Sequence, residues 1–296
     1  MSTLALVGMF GLVLAMYVAG AALTTGTRAQ RALGVLVGAS SMLVAWLIPP
    51  EHGTLRGMAV VQGFVGTMRV VDLWGLRWSL KQRLLHISSA VDTRRLRYVG
   101  PGLDRAALFA AIAWHIPAWP ALILLGKLGR PTDAGEWIVR WILILVFVYA
   151  LTAAAYPLLT FLYRAAGFLV PPLHVAPAMA RSVQEFWGER WNRTVSSWLG
   201  DTFFRPLARR RWPVLGGFAA FFVSAIVHGY IMWVAVSWVM GLWTLAFFLA
   251  QAGVIALERV NRVRSWPRWA GHAWTVAWMV GLSPLFTEPG ARAFGY

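Results

Sequence analysis

The chain has 296 residues, of which 59% are hydrophobic and 13% charged, with a formal net charge of +16 and no cysteine. A soluble globular domain carries about 25% charged residues, so this composition excludes one and describes a polytopic membrane protein. The absence of cysteine excludes disulfides, thiolate metal sites, iron–sulfur clusters and an acyl-enzyme thioester.

Apolar runs of about 20 residues mark helices that cross the hydrocarbon. Eight are expected, roughly 3–23, 32–48, 57–75, 106–125, 138–162, 214–237, 241–257 and 269–286. The first has no basic stretch ahead of it and no cleavage signature, and reads as a retained span. The third contains Arg69 and Asp72, which at i, i+3 can pair on one helix face and lower their own insertion cost. After it, Ser79 to Val99 is basic and reads as an interfacial amphipathic helix. The basic residues alternate across these spans, with 21 on one side, five on the other and Arg69 within the membrane. The positive-inside rule makes the 21-residue side cytoplasmic and places both termini outside. The net charge is therefore mostly topology and contact with anionic lipid, with no nucleic-acid partner expected. The expected architecture is an all-α membrane protein of about eight spans with cytoplasmic amphipathic helices, a single integral-membrane domain over 1–296.

Two stretches carry chemistry. The first is "RSVQEFWGERWNRTVSSWLGDTFFRPLARRR", Arg181 to Arg211. Ser182 with Glu185 matches a capping box, and Gly200-Asp201 reads as the helix end. Between them Trp187, Trp191, Val195 and Trp198 follow one another at four, four and three residues, giving one aromatic stripe. A helix floating at the interface with tryptophans at headgroup level would show the same stripe. Asn192 fits that reading poorly, since an amide beside the stripe is a hydrogen-bonding group with no work to do at an interface. The second stretch is "FFVSAIVHGY", Phe221 to Tyr230, which carries His228 into a membrane-length apolar run. An intramembrane histidine either hydrogen-bonds a neighbouring helix or marks a functional site.

"FWGERWNRTVSSW" followed by "FFVSAIVHGY" resembles the signature of the membrane-bound O-acyltransferase superfamily, in particular its short wax synthase branch. The close match covers about Ser182 to Tyr230. The resemblance implies a catalytic histidine with an asparagine as its partner, here His228 and Asn192. The chain departs from many relatives at Gly229, where an acidic or bulky residue follows the histidine.

The expected reaction is direct transfer of a fatty acyl group from acyl-coenzyme A, a co-substrate with no bound cofactor, to the hydroxyl of a lipophilic alcohol. If span six enters the membrane near Pro213, His228 lies about 22 Å along it, within reach of a lipid-like acceptor. A neutral imidazole there can take the proton of the attacking alcohol, while Asn192 positions the thioester carbonyl or the oxyanion. Arg190, Arg193 and Arg205 are candidate contacts for coenzyme A phosphates, and Trp187, Trp191 and Trp198 for the acyl or thioester channel. A sterol, a terpenoid or diacylglycerol is the alternative acceptor; a carrier relaying protons through His228, Arg69 and Asp72 is the alternative class. Of the other histidines, His52, His86 and His174 are expected to be exposed, and His115 and His272 to pack between helices. No His/Asp/Glu cluster has metal-ligand spacing, so no metal is expected.

Overall fold

The computed structural model describes residues 3–296 and is almost entirely helical. In chain order it contains α1 (Thr3–Leu23), α2 (Arg28–Ser40, continued as a 3₁₀ turn over Ser41–Leu47), α3 (Gly53–Asp72) and α4 (Leu80–Ser88). A short strand β1 (Arg97–Tyr98), α5 (Arg105–Leu128), α6 (Ala134–Ala165) and β2 (Phe168–Leu169) follow. The remainder is α7 (Val183–Glu185), α8 (Arg193–Leu199), α9 (Arg205–Arg209), α10 (Pro213–Ala235), α11 (Trp238–Val260), α12 (Arg268–Leu282) and α13 (Pro284–Ala293). Among the described residues five helices are long and apolar enough to cross a membrane: Arg28–Leu47, α5, α6, α10 and α11. α1 holds a shorter apolar stretch, Val7–Leu23. The expected third and eighth spans differ from these. α3 carries Arg56, Arg69 and Asp72 within its 20 residues. α12 has only 15 residues, and Pro284 opens α13 where the span was expected to continue, because proline suits a first helical position and breaks an interior one.

The chain divides into two units. The first comprises residues up to Arg94, Val227–Gly241 and Ala293–Gly295. Capping boxes start two of its helices: Thr27 and Gln30 exchange side-chain and backbone bonds ahead of α2, and Ser79 and Gln82 do so ahead of α4. Val13, Tyr17 and Ala21 of α1 pack with Val44, Leu73 and Ile87 in one apolar core, and Val60 of α3 packs with Ala45, Ile231 and Val234 in another. The amphipathic helix expected over Ser79–Val99 is limited to α4. Of its basic side chains Lys81 is exposed, whereas Arg83 is buried and donates to Thr24 Oγ1 at 2.6 Å and to the Trp78 carbonyl at 3.0 Å.

His86 was expected to be exposed and is instead fully buried. Its Nε2 lies 3.4 Å from Asp72 Oδ2, and Asp72 also takes Arg94 at 2.8 Å and the anticipated Arg69 at 3.4 Å. Arg94 grips Asp92 with two bonds of 2.9 Å. Burial alone would raise the Asp92 carboxyl, but the Arg94 guanidinium and backbone N–H overcome it and hold the group below the usual carboxylate range. Folding thus brings Asp72, His86 and Asp92 within 4.8 Å, a grouping that sequence spacing gave no reason to expect. Both carboxylates are already matched by guanidinium groups, so the cluster is an ionic knot between α3, α4 and the loop after it. Substituting Asp72 with alanine strands Arg69, of which 1% is exposed. The expected cost is about 3–5 kcal/mol, the usual penalty for orphaning a buried charge, read as a lowered thermal midpoint in detergent.

The second unit holds Arg95–Ile226, Leu242–Arg292 and Tyr296. Asp104 and Asp133 cap α5 and α6, each accepting a backbone N–H three residues on. The two helices share a small-residue core of Ala118, Ala121, Leu125, Ile144, Phe147 and Ala150, to which α13 adds Ala291. Arg140 of α6 and Arg292 bond opposite oxygens of the buried Glu288, at 2.9 and 2.8 Å. β1 and β2 form one antiparallel pair, Arg97 opposite Leu169, which closes the ends of the α5–α6 hairpin.

Candidate active site

The tryptophan stripe does not lie on one helix. α7 runs for three residues and widens into a π turn over Phe186–Arg190. The chain then extends at Trp191 and turns through Asn192, which is left-handed at φ 38°, ψ 59°. A left-handed residue ends helical pairing, and asparagine is among the few side chains that tolerate it. Asn192 serves as the N-cap of α8, its carboxamide oxygen accepting the Val195 N–H at 3.4 Å. Nor does Gly200-Asp201 end the segment: a second π turn over Gly200–Phe204 carries it into α9. The predicted single helix is therefore broken at Trp191–Asn192, and the tryptophans of the stripe do not share one helix face.

Trp187 enters an aromatic core, with Phe221 at 6.5 Å, Phe247 at 6.2 Å and Phe248 at 5.5 Å between ring centres. Its indole N–H donates to Gln251 Oε1 at 3.3 Å. Trp191 lies in a stack with Phe186 at 5.5 Å, Tyr149 at 5.9 Å and His174 at 4.6 Å. Trp198 is buried and meets Phe203 edge-on at 5.8 Å.

Three anchors outside the motif hold this segment in place: Glu258 of α11, the His272 and Gly271 pair of α12, and a histidine upstream. Glu258 of α11 is buried and accepts the backbone N–H groups of Val183 and Gln184 at 2.5 and 3.0 Å and the Trp274 indole at 3.1 Å. A carboxylate placed on the first-turn N–H groups of a helix satisfies donors that have no intrahelical partner. From α12, His272 bonds the Ala180 carbonyl at 3.0 Å, the helix-packing role expected of it. A Cβ at Gly271 would stand 2.6 Å from the Arg181 carbonyl, so glycine is required where α12 meets the segment. A signal for the α11 contacts was present in the sequence: Thr244, Gln251 and Glu258 recur every seven residues in an otherwise apolar helix, which puts them on one face. All three are buried.

The third is His174. It was expected to be exposed and is half-buried against Trp191. Its Nδ1 accepts the Asn192 N–H at 3.1 Å. Burial pushes the ring below the ordinary histidine value, outweighing a hydrogen bond to the Thr152 backbone that raises it.

His228 is half-buried on the part of α10 that belongs to the first unit. Next to the motif's departure at Gly229, glycine is required at Gly241 of α11. A Cβ at Gly241 of α11 would meet the Gly229 carbonyl at 2.7 Å and the Trp233 Cβ at 3.0 Å, so the α10–α11 turn brings two backbones together directly after the histidine. Gly241→Ala is expected to cost about 1–3 kcal/mol by overpacking and to shift the helical turn bearing His228, measurable as lost activity at a temperature where the variant remains folded. Two residues past His228, Tyr230 accepts the Trp46 indole N–H at 3.0 Å.

The arginines separate into two kinds. Arg190 is committed within the chain, to Glu185 at 2.7 Å and to the Val175 and Ala176 carbonyls at 3.0 and 3.2 Å. Arg193 is exposed, and Arg205 is 66% exposed with Asp201 at 2.5 Å. His115 keeps to its own helix, bonding the Ala111 carbonyl at 2.7 Å.

Residues 170–250 match the family model described as the membrane bound O-acyl transferase family, and this stretch contains both Asn192 and His228. The resemblance read from the motif is therefore borne out, and the relatives place it on the wax synthase-like side. The long-chain-alcohol O-fatty-acyltransferase of Simmondsia chinensis is 40% identical over 21% of this chain and 20% of its own length. Two probable long-chain-alcohol O-fatty-acyltransferases of Arabidopsis thaliana are 32% identical over 33% of this chain and 32% of theirs, and 28% identical over 71% and 56%. The chain thus spans between a fifth and somewhat over half the length of these relatives.

Proposed function

We propose that the protein transfers a fatty acyl group from acyl-coenzyme A to the hydroxyl of a long-chain alcohol within the membrane, with acyl-coenzyme A as co-substrate and no resident cofactor. The observation that carries this reading is that both motif halves lie inside one matched acyltransferase segment. The contact of Trp187, from the first half, with Phe221, from the second, supports it.

In this reading His228 takes the proton of the alcohol as its oxygen attacks the thioester carbonyl, and returns it to the departing thiolate. Asn192 uses its oxygen to cap α8, so its NH₂ is the group that serves the carbonyl oxygen as negative charge develops. Trp187, Trp191 and Trp198 form the walls that keep water from the thioester. Arg193 and Arg205 supply exposed positive charge for the coenzyme A phosphates, whereas Arg190 acts through the loop it ties down. The chain is one integral-membrane domain in which α1, α3 and α12 complete eight crossings, with the basic loops cytoplasmic.

The test is thiol release from palmitoyl-coenzyme A by purified protein in detergent, with and without hexadecanol, and mass-spectrometric detection of the ester. Release that depends on the alcohol and yields the ester is the expected result. Folded protein that releases no thiol with any alcohol, sterol or diacylglycerol would move the assignment to a carrier.

A further inference from the structure

We propose that His174 is a positioning residue for acyl transfer: as a neutral ring it holds Asn192 in the left-handed turn from which the Asn192 amide serves the reacting carbonyl. This rests on the function proposed above.

A left-handed non-glycine residue persists only where its surroundings over-determine it. Around Asn192 the surroundings are a bracket formed by the loop Leu173–Val175. The Val175 N–H donates to the Arg190 carbonyl at 2.9 Å, the Asn192 N–H to His174 Nδ1 at 3.1 Å, and the Arg193 N–H to the Leu173 carbonyl at 2.8 Å. Two of the three bonds are backbone to backbone and survive any substitution. The middle one, on Asn192 itself, depends on a side chain and on one protonation state of it.

With Nδ1 accepting, the ring proton sits on Nε2, where the Thr152 carbonyl of α6 can take it. Both nitrogens are thereby engaged, so His174 is poorly placed to act as the base and well placed to hold. Protonation would put an N–H at Nδ1 against the Asn192 N–H, replacing a hydrogen bond by a repulsion.

The charged and titratable groups around the ring do not favour that proton. From the same loop, the Val175 and Ala176 carbonyls are occupied by the Arg190 guanidinium. Glu185 of α7 is already paired with Arg190. Tyr149 of α6 stacks on the far partner, Trp191, and Arg193 at the start of α8 adds positive charge one residue past Asn192. Because burial depresses the ring's affinity for protons, the unfolded chain takes up a proton in the ordinary histidine range that the folded bracket refuses. The bracket is therefore fully stable above that range and weakens as the pH falls through it.

The experiment compares wild type, His174→Ala and His174→Asn, each purified as the full chain, using palmitoyl-coenzyme A and hexadecanol. Steady-state rates are taken from about pH 5.5 to 8, with thermal midpoints recorded alongside. His174→Ala is expected to lower kcat by roughly ten- to a hundred-fold while leaving the KM for palmitoyl-coenzyme A within about threefold, since positioning is used at the transition state. Asparagine presents an oxygen near the place of Nδ1 and cannot be protonated. His174→Asn should therefore recover most of the rate at about pH 7.5 and keep a larger fraction of it at about pH 6 than wild type does.

A wild-type kcat in His174→Ala, or a loss in His174→Asn equal to that in alanine, would overturn the positioning role and leave the acyl-transfer reading standing. If the alanine variant does not fold, the acid limb of His174→Asn decides, and a limb identical to wild type counts against the proposal. Wild-type protein with no alcohol-dependent transfer would overturn the function itself.

Discussion

Replacing His228 with alanine is expected to remove alcohol-dependent thiol release, with a loss of about 10²–10⁴-fold, the range typical for a deleted general base. Without the imidazole the hydroxyl must attack while still carrying its proton, and the bulk membrane supplies no substitute base. A residue that only bonds a neighbouring helix would behave differently, because its loss would act through stability and leave the pH dependence of the surviving rate unchanged. Thermal midpoints of wild type and His228→Ala, measured together with the rates, separate the two. A midpoint within a few degrees of wild type with no ester formed assigns the chemistry to His228. Full activity in the mutant removes it from catalysis.

The second large effect concerns a residue that contacts no substrate in this reading. Glu258→Ala is expected to destabilise the protein by about 3 kcal/mol, because one buried and two half-buried donors lose their carboxylate at once. Two of those donors are the Val183 and Gln184 N–H groups that begin the FWGERWN segment, so activity should fall further than stability alone explains. Glu258→Gln keeps one acceptor oxygen and should recover part of both. Equal midpoints for wild type and Glu258→Ala in a denaturation series would show that the segment is held by other means.

The long spans were legible in the sequence because hydrophobicity over some twenty residues overrides local detail; α6 and α10 are cases where the expected ranges, 138–162 and 214–237, nearly match the helices found. The break at Asn192 was not legible. Trp187, Trp191, Val195 and Trp198 have the spacing of a continuous helix, and what interrupts it is a loop 18 residues upstream that bonds the backbone on both sides of the turn. His86 and His174 were misjudged for the same reason: exposure is a sound default for a histidine in a polar stretch until folding presses that stretch against apolar neighbours. Thr244, Gln251 and Glu258 are a different matter, since polar residues at heptad spacing in an apolar span announce a buried face without any structure. Asn192 and His228 were singled out because a motif links them, and their surroundings follow only from the fold.

The dependence of the motif segment on α11 and α12 also orders events during synthesis. Val183 and its Glu258 partner are separated by 75 residues, and both anchoring helices follow α10 in the chain. While the ribosome is still delivering them, the N–H groups that open α7 have no acceptor and Gly271 has not yet received the Arg181 carbonyl. The FWGERWN segment can take its final shape only once the C-terminal helices are in place. A polypeptide stalled before residue 258 would leave the Val183 and Gln184 N–H groups without the carboxylate that accepts them in the finished chain.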